Sequence, residues 1–389
     1  MAEISVGNRA LFFADTPVQI LNSMYLASMF SAEGTISDLY VIDQFSNAQA
    51  YLHSARDSGL FSSVFDRKGK VLDSDVAVRM DNLRSYFRDP TPEIAPALLE
   101  KDLMYDSMFL SCPTTANYGV LSYLRRYNPK LRTYFYEDGT GTYTGNVFRG
   151  ITFLDFSPEG IKERPFRKQA KTLVRKVVGK RGLYCVEALY VKRPSAMTFC
   201  PPMPVRQLRP TRQVLQLIKD SRLWSGGESL DKASVIIFDC LRSMRSNETD
   251  AAIVDEIVDL LDMHQLRYYL RLHPRTDANL APNGNYFGVN GMWEVKCQVE
   301  NMEDFLLVGM FSSAQLSPYL ETGAQPHLLF LNRLRERNPD DLQTDAAVEE
   351  LLGCMGYPSD RILFPSSIDE TVSIIESFAY NKHLSSTVQ

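Results

Sequence analysis

Three short stretches of this chain carry side chains that could do chemistry together. Glu137-Asp138-Gly139 follows three aromatics, Tyr134-Phe135-Tyr136. Aromatics in a row favour an extended, buried segment, so the two carboxylates stand at a strand end and Gly139 gives the backbone freedom for a sharp exit. Open α/β sheets bind ligands beyond the carboxyl ends of their strands, and a carboxylate there can take the proton of an attacking hydroxyl. His273-Pro274 closes a second apolar run; Pro274 fixes its own backbone and restricts His273 to extended geometry. Ser312-Ser313 follows Phe311 where a helix is expected to begin, and hydroxyls beside free amides make a phosphate site. Glu294, after Trp293, could accept hydrogen bonds from ribose hydroxyls. Taken singly, each has a plain structural reading: a turn, a packed imidazole, a helix cap. Their combination is what points to a site.

These residues need strands and helices to position them. Ala10–Ala14 reads as a buried first strand, and Asp15-Thr16-Pro17 as a capped helix start leading into an apolar stripe up to Gly34. Further strands are expected at 38–43, 107–111 and 132–136, with helices between them. A second alternating unit starts with a strand at 234–238, then a helix at 250–263 and strands at 268–272, 304–311, 327–331 and 361–364. A closing helix over 368–380 could return to pack on the first domain. Strand-helix alternation with short connections predicts parallel sheets covered on both faces. The fold expected is therefore α/β, with two Rossmann-like domains facing a central cleft. The first would span 1–195, a proline-rich linker 196–232, and the second 233–389.

Length and composition agree with this. A chain of 389 residues exceeds one ordinary core, and 44% hydrophobic with 23% charged residues is a globular composition. The net charge of −5 argues against a nucleic-acid partner. Six scattered cysteines show no metal or disulfide spacing. The N-terminus has no signal-peptide pattern and no apolar stretch is long enough to span a bilayer, so a cytoplasmic location is expected. Residues 162–193 depart from the rest, with Lys and Arg far outnumbering Glu163 and Glu187. Two readings stand for this segment: a basic amphipathic helix resting on an anionic membrane face, or a solvated helix at a domain edge.

Other polar residues are given structural readings. Asp73-Ser74-Asp75 matches a metal-binding D-x-D pattern but lacks a buried strand before it, and reads as a surface turn. His327 reads as packed, and His264 as complementing a helix end. Ser111, Thr114, Thr115 and Asn117 follow a strand of the first domain, where Thr114 and Asn117 could touch an acceptor; Thr114 or Thr115 could equally cap the next helix.

The order Glu137-Asp138-Gly139, His273-Pro274, Ser312-Ser313 resembles the bacterial sialyltransferases that decorate lipooligosaccharides and capsules, including the family-52 glycosyltransferases. Thr16-Pro17-Val18-Gln19 and Trp293-Glu294 look like positions of that family too. The likeness covers most of the chain by landmark order, over divergent intervening sequence. It implies a GT-B fold and no metal or other cofactor. It implies that Glu137 deprotonates the acceptor hydroxyl, while Asp138 shapes the loop or holds the acceptor. His273 would hold and protonate the donor phosphate, Ser312 and Ser313 would bind that phosphate, and Glu294 the ribose. Thr16 and Gln19 fall on the acceptor side. The reaction implied is inverting transfer of sialic acid from CMP-sialic acid to a galactose-terminated surface glycan, with α-2,3 linkage favoured. The residues read alone leave three alternatives: another sugar such as glucose from a UDP donor, a nucleotide-sugar epimerase, or a nucleotide-binding module without catalysis.

Overall fold

The computed structural model describes residues 8–43, 45, 47–68, 104–111, 120–121, 124–125, 127–145, 186–201, 203–227, 229–230, 234–242, 247–273, 276, 278–335 and 348–386. The chain divides into two compact units, Met1–Leu217 and Ile218–Gln389.

The first unit runs β1 (Arg9–Ala14), α1 (Pro17–Ser31), β2 (Ile36–Asp43), α2 (Ala48–Asp57), β3 (Ser63–Lys68), β4 (Ser107–Leu110), β5 (Arg132–Tyr136), the single turn α3 (Thr140–Tyr143), β6 (Val186–Val191) and β7 (Val205–Gln207). All seven strands are parallel, in the order β3-β2-β1-β4-β5-β6-β7. The central strands are near-continuous apolar runs because both their faces are covered. Phe12, Phe109 and Tyr134 share one row across β1, β4 and β5, with ring centroids 4.6 and 4.7 Å apart. Cross-strand aromatic contacts of this kind pin the register of the three strands. Phe30 of α1 packs on the same rings, 5.4 Å from Phe109, which places α1 on that face of the sheet. Thr16 caps α1, its Oγ1 accepting from the Gln19 N–H at 3.3 Å, with Pro17 at the first helical position.

The second unit follows α4 (Arg212–Asp220), which crosses the division. It contains α5 (Arg222–Ser225), β8 (Val235–Phe238), α6 (Glu248–Met263), β9 (Tyr269–Arg271), β10 (Phe287–Gly288), α7 (Trp293–Val299), β11 (Leu306–Gly309), α8 (Ser313–Thr322), β12 (His327–Phe330), β13 (Ile362–Leu363) and α9 (Ile368–Ser386). Its six parallel strands are ordered β10-β9-β8-β11-β12-β13. Val235, Ile237, Leu306 and Val308 meet Val254, Ile257 and Val258 of α6 in one core. Val372 and Ile375 join it, so the closing helix packs within its own unit on α6.

Both sheets are doubly wound, and strand order reverses between β1 and β4 in one and between β8 and β11 in the other. Such reversals open a crevice at the carboxyl ends of the flanking strands. Four strands were not anticipated: β3, β6, β7 and β10. The segment 162–193 is corrected over its last eight residues, because 186–191 form β6 rather than a helix. Ala188, Leu189, Tyr190, Val191 and Lys192 are buried in this part. The remainder of that segment up to 185 lies outside the described residues. Within the proline-rich 196–232, Val205–Gln207 forms edge strand β7 and Trp224 is fully buried.

Candidate active site

The acidic loop leaves β5 at the carboxyl edge of the first sheet. Gly139 adopts φ +74°, a conformation side chains with a Cβ rarely take, and this turns the chain into α3. Alternation along the strand carries past its end and separates the two carboxylates. Glu137 turns toward α3 and the end of β6. Its Oε2 accepts from Tyr143 Oη at 2.5 Å and from the Lys192 backbone N–H at 2.8 Å. The Lys192 ammonium stands 3.5 Å from Oε1. Glu137 and Lys192 are 2% and 6% exposed, so their charges meet out of water and depend on one another.

Asp138 turns the other way, toward α1, and is half-buried. Gln19 Nε2 donates to its Oδ1 at 2.9 Å, while the Asp15 N–H donates to Gln19 Oε1 at 2.7 Å. The amide of Gln19 is thereby locked, and so is the carboxylate it holds. The Asp138 N–H donates to Thr142 Oγ1 at 2.9 Å. Its Oδ2 has no hydrogen-bond partner among the described residues. Asn22, fully buried one helical turn beyond Gln19, donates to the Glu137 carbonyl at 3.0 Å. The start of α1 therefore grips the loop through both acids, one by side chain and one by backbone.

The second sheet assembles the remaining candidates along one edge. Phe238 of β8 pairs with Arg271 of β9 on one side and Gly309 of β11 on the other. His273 lies two residues beyond Arg271, and Ser312 three beyond Gly309, so they flank the end of β8. Ser312 is the N-cap of α8: its Oγ accepts from the Ala314 N–H at 3.3 Å, and its own N–H donates to Gln315 Oε1 at 3.2 Å. Gln315 is fully buried and donates to the Leu307 and Leu329 carbonyls, which fixes the helix start on β11 and β12. Ser313, the first residue of α8, is exposed. Trp293 Nε1 donates to the Ala314 carbonyl at 2.6 Å, bringing α7, and with it half-buried Glu294, beside the start of α8.

Sequence reading missed four residues of these edges. Tyr143 lies within reach of the motif in sequence, six residues after Glu137, but tyrosine there carries no recognisable signal. Lys192 was submerged in a run of basic residues, and Asn22 in an apolar helix. Asp239 follows β8, accepts from Arg242 Nε at 2.8 Å, and keeps a buried Oδ1 with no hydrogen-bond partner among the described residues. Burial pushes its carboxyl up, against the opposing pull of Arg242. Asp239 stands at the strand reversal, between His273 and Ser312.

Thr114, Asn117, Pro274 and Asp73-Ser74-Asp75 lie outside the described residues. Thr16 stands at the same edge as Asp138, as the cap of α1. His327 packs edge-on against Phe378 at 5.1 Å, and His264 contacts Glu376 at the end of α6, as structural readings require. Among the described residues no cluster of three or more His, Cys, Asp or Glu could hold a metal, and no helix is long and apolar enough to cross a membrane.

No protein-family model and no curated protein matches this sequence. Solved structures do match its fold. UGT2 of Phytolacca americana, complexed with UDP-2-fluoro-glucose and pterostilbene, is 12% identical, with 96% of this chain and 90% of that one covered at a TM-score of 0.50. The GT-B domain of a sialyltransferase from Photobacterium damselae is 9% identical, covers 92% and 99%, and also scores 0.50. The Methanocaldococcus jannaschii UDP-GlcNAc 2-epimerase, in complex with UDP-GlcNAc and UDP, is 10% identical over 95% and 92%, with a TM-score of 0.48. The fold is α/β of the GT-B type, with two Rossmann-like domains. One fold serves several chemistries, so function has to be argued from the side chains.

Proposed function

We propose that this protein is an inverting, metal-independent glycosyltransferase that moves a sugar from a nucleotide donor to a glycan hydroxyl. The donor is CMP-sialic acid and the acceptor a galactose-terminated bacterial surface glycan, lipooligosaccharide or capsule, joined through an α-2,3 linkage. The protein acts in the cytoplasm.

The observation that carries this reading is the division of groups between the two sheets. The edge of the first offers two adjacent carboxylates, Glu137 as the base and Asp138 held by Gln19. The edge of the second offers an imidazole, a capped helix start with an exposed hydroxyl at Ser313, and Glu294. Transfer of a sugar to a hydroxyl needs both sets. A base takes the acceptor proton during attack, and the departing phosphate gains charge that amides, hydroxyls and an imidazole stabilise. Direct displacement by a single base inverts the anomeric centre. The choice of sialic acid rests on the resemblance of the three motifs, since phosphate and proton handling read neither base nor sugar.

The test is incubation with CMP-sialic acid and lactose in the presence of a chelator, reading released CMP and product mass. A lactose product heavier by one sialyl group supports the reading. Product only from UDP-glucose would replace the donor. Conversion of a UDP-sugar without any acceptor would replace transfer by epimerisation.

A further inference from the structure

A proline inside a helix lacks the N–H that would bond the carbonyl four residues earlier. Pro318 lies in the interior of α8, so the Ala314 carbonyl in the first turn cannot have its helical partner. The Trp293 indole takes that place, its Nε1 donating to the Ala314 carbonyl at 2.6 Å. Trp293 is fully buried, and a buried indole N–H needs an acceptor. The ring is also fixed from the strands. Phe238 of β8 meets it edge-on with centroids 5.0 Å apart, and the Arg271 guanidinium of β9 lies 5.9 Å from it. The residues just before the indole are held as closely. Arg271 Nη1 donates to the Val289 and Gly291 carbonyls at 3.3 and 3.2 Å, and the Met292 N–H donates to the Trp224 carbonyl at 2.7 Å. Gly291 and Gly226 pack so tightly that a Cβ on either would stand 2.3 Å from backbone of the opposing loop.

We propose that Trp293 is a positioning residue for the nucleotide donor, an assignment that rests on the transferase reading above. By tying α7 to α8 it fixes the spacing between Glu294, which takes the ribose, and Ser312-Ser313, which take the phosphate. Glu294 follows Trp293 directly in the first turn of α7, and Ala314 follows Ser313 directly in the first turn of α8. One hydrogen bond therefore joins the two ligand sets at a single residue's remove from each. A nucleotide spans both sets, and holding them at one separation beforehand leaves less to be ordered when it binds. Pro318 is the other half of the device. With an N–H at that position α8 would satisfy Ala314 by itself, and the bond to α7 would be redundant for the helix.

The experiment measures melting temperature and CMP affinity, the latter by calorimetric titration, for wild type, Trp293→Phe and the double variant Trp293→Phe/Pro318→Ala. UDP replaces CMP where the wild type binds only UDP. Phenylalanine keeps a ring against Phe238 and Arg271 but has no N–H to give. Trp293→Phe is expected to melt lower and to bind the nucleotide about fivefold or more weakly. The double variant returns a backbone N–H to the Ala314 carbonyl, so its melting temperature should rise again while its affinity stays low. A role confined to the stability of α8 would move the two readings together. Unchanged affinity in a folded Trp293→Phe, or affinity that recovers with the melting temperature in the double variant, overturns the assignment and leaves nucleotide binding standing. Where Trp293→Phe does not fold, the double variant decides alone: weakened binding supports the assignment and wild-type affinity overturns it. A folded wild type that binds neither CMP nor UDP overturns the donor reading and the assignment with it.

Discussion

Gln19 on α1 holds Asp138 beyond β5 through a 2.9 Å hydrogen bond that spans 119 residues of sequence. The contact couples the first helix of the chain to the acidic loop and sets the direction in which the loop's accessible carboxylate points.

Replacing Gln19 by Leu should therefore act on rate more than on donor binding. A hydrogen bond to a charged group contributes about 1.5–3 kcal/mol, so loss of orientation predicts a fall in kcat of about tenfold or more, with donor KM unchanged. Steady-state kinetics against the donor read both constants. An unchanged kcat would mean that Asp138 needs no help from α1.

Lys192 should matter for folding before it matters for rate. Lys192→Met leaves Glu137 buried beside Tyr143 without its cation, and breaking such a pair costs about 3–5 kcal/mol. The double variant Glu137→Gln/Lys192→Met removes both charges and should recover most of that loss. Urea unfolding of the two proteins measures it; a single variant within about 0.5 kcal/mol of wild type would show the pair to be dispensable.

The two serines of the second sheet should separate. Ser312 spends its hydroxyl on the cap of α8, so Ser312→Ala should lower stability by about 1 kcal/mol. Ser313 is exposed and caps nothing, so Ser313→Ala should leave the melting temperature alone and raise donor KM several-fold. Thermal unfolding beside donor titration distinguishes them. Equal melting temperatures for both variants would contradict the capping role.

His327 gives a pH dependence with a definite sign. Burial, assisted by the nearby Arg361 guanidinium, holds its imidazole below the ordinary 6.5. The unfolded chain then binds this proton more readily than the folded one. Its contribution to stability is present above about 6.5 and is lost as pH falls through the lower folded value. Between pH 7.5 and 5, the urea midpoint of wild type should fall further than that of His327→Gln. Parallel curves would remove His327 from the account.

Much of the fold was legible because buried parallel strands are written as short apolar runs. Leu11-Phe12-Phe13, Met108-Phe109 and Val235-Ile236-Ile237 could hardly be anything else once helices were seen between them. Strand β6 was hidden because its neighbours in sequence are basic, and charge drew the reading toward a surface helix. Strand β7 was hidden by prolines, which an edge strand tolerates at its flanks. At the site, residue types and order located Glu137, Asp138, His273, Ser312 and Ser313 on two sheet edges. What they did not show is which acid is covered. That depends on Lys192 and Tyr143 on one side and Gln19 on the other, contacts made only when the chain is folded.

The proposed reaction moves a sugar from a nucleotide to a hydroxyl. It is met most directly by following CMP-sialic acid with and without lactose by proton NMR. Transfer predicts that free CMP and an α-linked sialyl lactose appear in equal amounts, and only when lactose is present. Consumption of the donor at the same rate without lactose, or a UDP-sugar changing configuration with no acceptor in the tube, would contradict it.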